Sequence, residues 1–505
     1  MRDRHYLGNV LGLSIGPRVI TSVLTVVSLP ILMRAVGASD YGIIVYLGAV
    51  VGVLESLADF GVSSAAGKGV ADARARRPRA LPAEVANWAR LQSVVALLGA
   101  IPVFGISYLY VRYAGTIKVD VLLLTLVVAS TWVSIVTNFV RACIRSCLHF
   151  KSLMVLDTTE SVTRSSTWIA VAYYMPSAMG VALAGAITAV LTSAAGVVAL
   201  VYVVRQYVRA QEASERKEET HSPPSYREMI RGSLHFLGLR FSTRMTQALP
   251  VIIIGRTVGA GPVGVIGAFS RISELLGFPF AVIGNALSVR AQEVVLKEMR
   301  AIVALWNTVL RFVAVAAVVA GCVALVATPL AGFLLPGDPS AVPQFAVLSL
   351  TIVTSVISSL IAPMSDYIGA LPRRVALLSG MAIAQVPVLY IGGTFFGPVG
   401  AVAAYVLALC STSAGYVFIA KRAFFGTAPY RPSSDVSRFS GIVLGSLVLS
   451  VCSGIVGFWS SLSAAQMAAV RASLFLLMVI AGVLANRVVR NALISQSLFD
   501  FTAQS

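Results

Sequence analysis

Charge is what this chain has least of. Only 12% of its 505 residues are Asp, Glu, Lys or Arg, against 57% hydrophobic residues, and mean hydropathy is +0.85. So little charge cannot solvate separate soluble domains of this size, so composition specifies a polytopic membrane protein. Cysteine is scarce and odd in number: Cys143, Cys147, Cys322, Cys410 and Cys452. All fall in apolar runs or basic links, which argues against a disulfide framework. Cys143 and Cys147 are one helical turn apart, but no His or further Cys stands beside them in a metal-ligand spacing. The four histidines, His5, His149, His221 and His235, are too scattered for a hydrolytic triad or a metal centre. No cofactor is therefore expected. No small-residue cleavage site follows Met1-Arg2-Asp3-Arg4-His5, so the first apolar run reads as a retained helix. No presumed outer link exceeds the Pro-rich stretch near Pro329 to Pro343, which argues against an enzyme with a folded external domain. Gly61-Val62-Ser63-Ser64-Ala65-Ala66-Gly67-Lys68-Gly69 superficially has the form of a phosphate loop. Its glycine spacing is wrong and no Ser or Thr follows Lys68.

Present instead are fourteen apolar stretches near the length of about 20 residues that crosses a bilayer. They run from about residue 8 to about residue 486. Base exceeds acid, 39 to 21, giving a formal net charge of +18. In a soluble protein that balance would suggest nucleic acid, but here the cations sort by side. Alternate links, with the termini, carry 28 Lys and Arg, and the other links only Arg34, Arg112, Lys118 and Arg256. By the positive-inside rule both termini are expected in the cytoplasm and the number of spans is even, with anionic-lipid contact a secondary effect of the basic links.

The stretch Arg34-Ala35-Val36-Gly37-Ala38-Ser39-Asp40-Tyr41-Gly42-Ile43-Ile44 recurs as Arg256-Thr257-Val258-Gly259-Ala260-Gly261-Pro262-Val263-Gly264-Val265-Ile266, sharing six of eleven positions. Each copy joins two apolar runs, as in transporters built from repeats. A looser echo links Gly180-Val181-Ala182 with Gly397-Pro398-Val399. With six spans between copies, both run the same way, implying a pseudo-twofold axis along the membrane normal. The expected fold is all-α, with about 14 transmembrane helices in two pseudo-symmetric six-helix bundles and a C-terminal hairpin. The expected divisions are a first lobe over 1–204, a cytoplasmic linker over 205–232, a second lobe over 233–420, and a further hairpin and tail over 421–505.

Seven cations fall inside spans: Arg18, Arg164, Arg240, Arg244, Arg271, Arg311 and Arg471. Each would cost about 2.5–3.5 kcal/mol at a helix centre, so they should face protein or water. Glu160 with Arg164 and Arg271 with Glu274 are spaced to pair on one helix face. Basic residues still outnumber these acids, and an excess of guanidinium suits an anion, phosphate above all. Arg18 and Arg271 lie mid-span and read as cavity-lining, with Arg311 and Arg244 intermediate. Arg164, Arg240 and Arg471 are open to a second reading as side chains snorkelling to the headgroups. Glu55 and Asp59 fit a proton or cation site and equally a solvated helix end. Asn138 and Asn285 fit sugar contacts and equally helix packing.

The opening span with Asn9 and Pro30, then Arg34 to Gly42, then Asp59-Phe60-Gly61-Val62, resembles the start of polysaccharide-transport flippases. These belong to the multidrug/oligosaccharidyl-lipid/polysaccharide exporter (MOP) superfamily. Gly264-Val265-Ile266-Gly267-Ala268-Phe269-Ser270-Arg271-Ile272 resembles that family's eighth helix, although Val263 stands where the first copy has Tyr41. The resemblance implies two bundles around a central cationic cavity opening alternately to either side. It also implies a cargo, an O-antigen or exopolysaccharide unit on polyprenyl pyrophosphate, moved from the cytoplasmic to the outer leaflet of a bacterial inner membrane. Arg18 and Arg271 would contact the pyrophosphate, and the polyprenol would stay among membrane lipids. A polysaccharide polymerase and chain-length proteins are the implied partners. A lipid II flippase is the nearest alternative. A cation-coupled multidrug exporter is less favoured, because its cavity should carry more acid than base.

Overall fold

The computed structural model describes residues 2–76, 80–114, 117, 119–212, 225–295, 299–335, 341–367 and 371–425. The linker at 213–224, Arg471 and the hairpin expected at 439–486 lie outside the described residues, as do the side chains of Arg18 and Asn285. Among the described residues all regular structure is helical: α1 (Arg2–Ala58), α2 (Val62–Arg76), α3 (Leu81–Leu109), α4 (Val121–Ser146), α5 (Phe150–Tyr174), α6 (Ala178–Glu212), α7 (Tyr226–Thr257), α8 (Ala260–Val295), α9 (Met299–Leu325), α10 (Ala327–Leu334), α11 (Ala341–Leu348), α12 (Leu350–Tyr367) and α13 (Leu371–Phe425). Local signals set several starts. Asp120 caps α4 by accepting from the Leu122 N–H at 3.2 Å, and Ser225 with Glu228 forms a capping box on α7.

Seven stretches among the described residues are long and apolar enough to cross a membrane. Two of them, Ile20–Ala58 and Pro372–Phe424, have length for two crossings at about 1.5 Å per residue, and each contains a broken residue. In α13 the break is Gly397, and beyond it the chain returns on itself: a Cβ on Gly392 would lie 2.7 Å from the Ala404 Cβ, and Arg374 sits 5.5 Å from the Tyr416 ring centre. In α1 the break is Gly37 at φ 83°. Its repeat counterpart, Gly259, has φ 103° and separates α7 from α8. The left-handed backbone at both points is why each copy of the motif has glycine there. The looser echo differs, since Gly397 has positive φ and Gly180 does not.

The two copies of the motif touch one another. A Cβ on Gly42 would collide with the backbone of Ala260 and of Gly264, and a Cβ on Gly264 with that of Ala38 and Gly42. The contact is reciprocal, Gly42 meeting Ala260 as Gly264 meets Ala38, which is what a local twofold between the copies demands. Nearby, the ring of buried Tyr46 lies against Gly255, and Val45 against Gly267. Small residues let helix backbones approach closely in lipid, where no hydrophobic force draws them together.

Two compact units emerge, residues 1–267 and 268–505. The first contains α1 to α7 and the beginning of α8. Its inner core joins Val62, Ala66 and Val70 of α2 to Trp88 and Leu91 of α3, Phe139 and Cys143 of α4, Leu156 of α5 and Leu200 of α6. On α3, Leu97, Leu98 and Ile101 point outward as a lipid-facing strip. Tyr113, Tyr173 and Tyr174 stand exposed where α3 and α5 reach the links poor in cations, as an aromatic interface belt would. In the second unit Phe269 of α8 packs on Phe345 of α11, Phe280 on Phe312 of α9, and Trp306 of α9 on Phe424 of α13.

Replacing Gly42 or Gly264 by Leu should force the two motif copies apart, costing about 1–3 kcal/mol or more and lowering the melting temperature of detergent-purified protein. Gly48→Leu, where a Cβ meets nothing within 4 Å, should leave it unchanged.

Candidate functional site

Polar side chains concentrate at two places inside the first unit. The first is where α1 ends. Asp59, Phe60 and Gly61 form a tight turn into α2, with Phe60 at φ 52° and Gly61 at φ 74°. The turn aims Asp59, fully buried, at α7. The Arg240 guanidinium donates to Asp59 Oδ2 at 2.5 Å and to Glu55 Oε1 at 2.9 Å. Ser63 Oγ and Gln92 Nε2 donate to Asp59 Oδ1 at 2.6 and 3.1 Å, tying α1, α2, α3 and α7 into one network. Arg244, one turn along α7, is exposed, with its charge in electrostatic reach of Glu55. Two carboxylates against one guanidinium leave a net charge of −1 at this depth, offset by the Ser63 and Gln92 hydrogen bonds to Asp59 and by the Arg244 charge near Glu55. Glu55 and Asp59 are thus buried at a helix junction and not at a solvated helix end.

The second place is on α4 and α5. Arg141 donates from Nε to Asp157 at 3.1 Å and also binds Glu160, whose other oxygen is held by Arg164. Asp157, Glu160, Ser161, Arg164 and Ser165 follow one face of α5, and α1 faces them: Thr21 Oγ1 lies 2.6 Å from Ser161 Oγ, and Ser28 donates to Ser165 at 3.3 Å. Asn138, half-buried, stands one turn before Arg141 on α4. Sequence hydropathy begins span five near residue 158, whereas α5 begins at Phe150. Arg164 therefore sits well inside α5, about 15 Å from its Tyr174 end by the helical rise. The polar run Asp157-Thr158-Thr159-Glu160 dilutes the hydropathy signal and hides the true start.

The second unit holds the remaining candidates. Arg271 pairs with Glu274 at 3.1 Å on α8, their side chains 40% and 66% exposed. Arg311, half-buried on α9, has its Nε buried and without a hydrogen-bond acceptor among the described residues. Sequence reasoning singled out Glu55, Asp59, Arg240, Glu160 and Arg164 but neither Arg141, Asp157, Gln92 nor Ser63. Arg141 was hidden because it sums with the inner-side charges. The spacing of Asp157, Glu160 and Arg164 was the available signal.

Residues 9–290, more than half of the chain, match the family model described as polysaccharide biosynthesis protein. The chain belongs to this family. No curated protein matches it. Among solved structures it is similar to the lipid II flippase MurJ in an inward closed conformation, with 12% identity, TM-score 0.61, and 96% of this chain and 98% of that one covered. It is also similar to a MOP superfamily transporter from Pyrococcus furiosus, whose description notes a reversed polarity of its binding pocket, with 13% identity, TM-score 0.58, and coverage of 82% and 94%. An inward-facing multidrug resistance MATE family transporter gives 16% identity, TM-score 0.55, and coverage of 83% and 93%. Together these likenesses show that the chain shares the fold of these transporters.

Arg240→Ala should leave Glu55 and Asp59 buried without their cation and cost about 3–5 kcal/mol of stability, read as a fall in melting temperature. Adding Glu55→Gln and Asp59→Asn to it should recover part of that loss.

Proposed function

We propose that this protein is a flippase. It carries an oligosaccharide linked through pyrophosphate to a polyprenol, an O-antigen or exopolysaccharide unit, from the cytoplasmic to the outer leaflet of a bacterial inner membrane, its own termini cytoplasmic. The observation that carries the reading is charge at the middle of apolar helices on an exposed surface. Arg271 lies about 17 Å into α8 by the helical rise, with its side chain 40% exposed. Facing lipid, it and Glu274 would each cost several kcal/mol, so they face water. A wet interior richer in arginine than in acid suits an anionic headgroup, and guanidinium matches phosphate oxygens with paired donors. Unaided passage of a pyrophosphate and several sugars through hydrocarbon is prohibitive, because each unsatisfied polar group costs several kcal/mol.

The family's description, polysaccharide biosynthesis protein, supports a glycan cargo over a drug. Arg18, Arg271, Arg244 and Arg311 are the proposed headgroup contacts, with the polyprenol left in membrane lipid, and the proposed lobes run over 1–204 and 233–420. Asn285 is a proposed sugar contact, and a polysaccharide polymerase with its chain-length proteins would take the product. The ligand would favour the closed arrangement only in so far as it binds that state more tightly. A second reading, lipid II as cargo, draws on the likeness to MurJ and shares the pyrophosphate-linked headgroup.

In a deletion strain complemented with variants, Arg271→Ala and Arg311→Ala should each reduce surface polysaccharide about tenfold or more, at unchanged protein level, as loss of a charge-assisted contact implies. Normal polysaccharide from both would remove the proposed path. Death of the deletion strain would instead favour the peptidoglycan precursor.

A further inference from the structure

Glu160 is gripped in an unusual way for a structural carboxylate. Its two oxygens are held by guanidiniums from two helices, Oε2 by Arg141 of α4 and Oε1 by Arg164 of α5. Two forked donors thus converge on one two-oxygen anion, an arrangement equally suited to phosphate oxygens. Arg141 is independently anchored, because Asp157 accepts from its Nε and Nη2 at 3.1 and 3.0 Å and would hold it in place if Glu160 left. The side chains of Arg141, Asp157 and Arg164 are 25%, 31% and 31% exposed, and that of Glu160 is 18% exposed. Exposing charge to hydrocarbon costs several kcal/mol, so this open edge of the cluster belongs to water or headgroups and not to lipid chains.

We propose that Arg141 and Arg164 form a diphosphate-binding subsite in the first unit, with Glu160 as its built-in competitor. The inference rests on the reading of a pyrophosphate-linked cargo and locates one of its resting places. With four charges summing to zero, the cluster is stable when empty. A diphosphate offers more charge and more acceptor oxygens than a carboxylate, so it takes the two guanidiniums while Glu160 rotates away. Glu160 then repels the bound anion and returns when it departs. Binding is thereby kept weak enough for release, as a carrier requires. Asn138, a turn from Arg141, stands where the first sugar could meet it.

The test uses the full chain in nanodiscs of neutral phosphatidylcholine, with farnesyl diphosphate, farnesyl monophosphate and inorganic pyrophosphate as probes. Glu160→Gln removes the competing charge while keeping the shape. It should tighten binding of both diphosphates about fivefold or more, as loss of a neighbouring like charge implies. Arg141→Ala should weaken binding by a similar factor and Arg141→Lys by less, since lysine lacks the fork. Because Glu160→Gln is a gain of affinity, failure of the arginine variants to fold would not decide the matter. Wild-type binding that none of these variants alters would overturn the subsite while leaving the cargo intact. No binding of any probe to wild type or Glu160→Gln would overturn both. Equal affinity for the monophosphate, or displacement by added phosphatidylglycerol, would make it a general lipid-headgroup site and end the diphosphate assignment.

Discussion

Hydrocarbon does not solvate charge, and the interior of this protein is arranged around that fact. Among the described residues, most cations set deep in apolar helices are met by carboxylates, Arg311 with its buried Nε being an exception. Arg240 is met by Glu55 and Asp59, Arg141 and Arg164 by Asp157 and Glu160, and Arg271 by Glu274. The three groups differ in burial, which separates their roles. The Arg240 network has no exposed carboxylate and joins four helices, so it acts as a tie. The other two retain a quarter or more of an arginine side chain in the open, as the proposed exchange of partners requires. A buried pair loses several kcal/mol when one member leaves, whereas a wet pair loses little.

The second constraint is the duplicated motif. Its first glycine turns the chain and its second lets two helices touch at the backbone, so the copies fit each other as well as their own hairpins. Gly42 and Gly264 are the centre of that fit. In lipid, where side-chain burial supplies little attraction between helices, such backbone contact is a principal source of adhesion.

Much of this was legible in the sequence because membrane helices are written in coarse terms. Low charge, long apolar runs and sided cations gave the class. The repeat marked both turns, since only glycine tolerates the backbone at Gly37 and Gly259 without strain. The pairs Glu160 with Arg164 and Arg271 with Glu274 were visible as helical spacings. What stayed hidden was long-range or masked by composition. Arg240 meets Glu55 and Asp59 across more than 180 residues, a pairing no local pattern encodes. Arg141 is indistinguishable, in a charge count, from an arginine that merely sets topology. The start of α5 was obscured by its own acids, Asp157 and Glu160.

The central claim is that the charged face of α5 borders water. In a cysteine-free variant reconstituted in nanodiscs, single cysteines at Asn138 and Asp157 should react readily with a water-soluble, lipid-insoluble maleimide. A cysteine at Ile101, 82% exposed on the lipid-facing strip of α3, should not. Reaction at Ile101 with protection of both others would mean that the cluster is sealed and the account of a wet, anion-carrying interior is wrong.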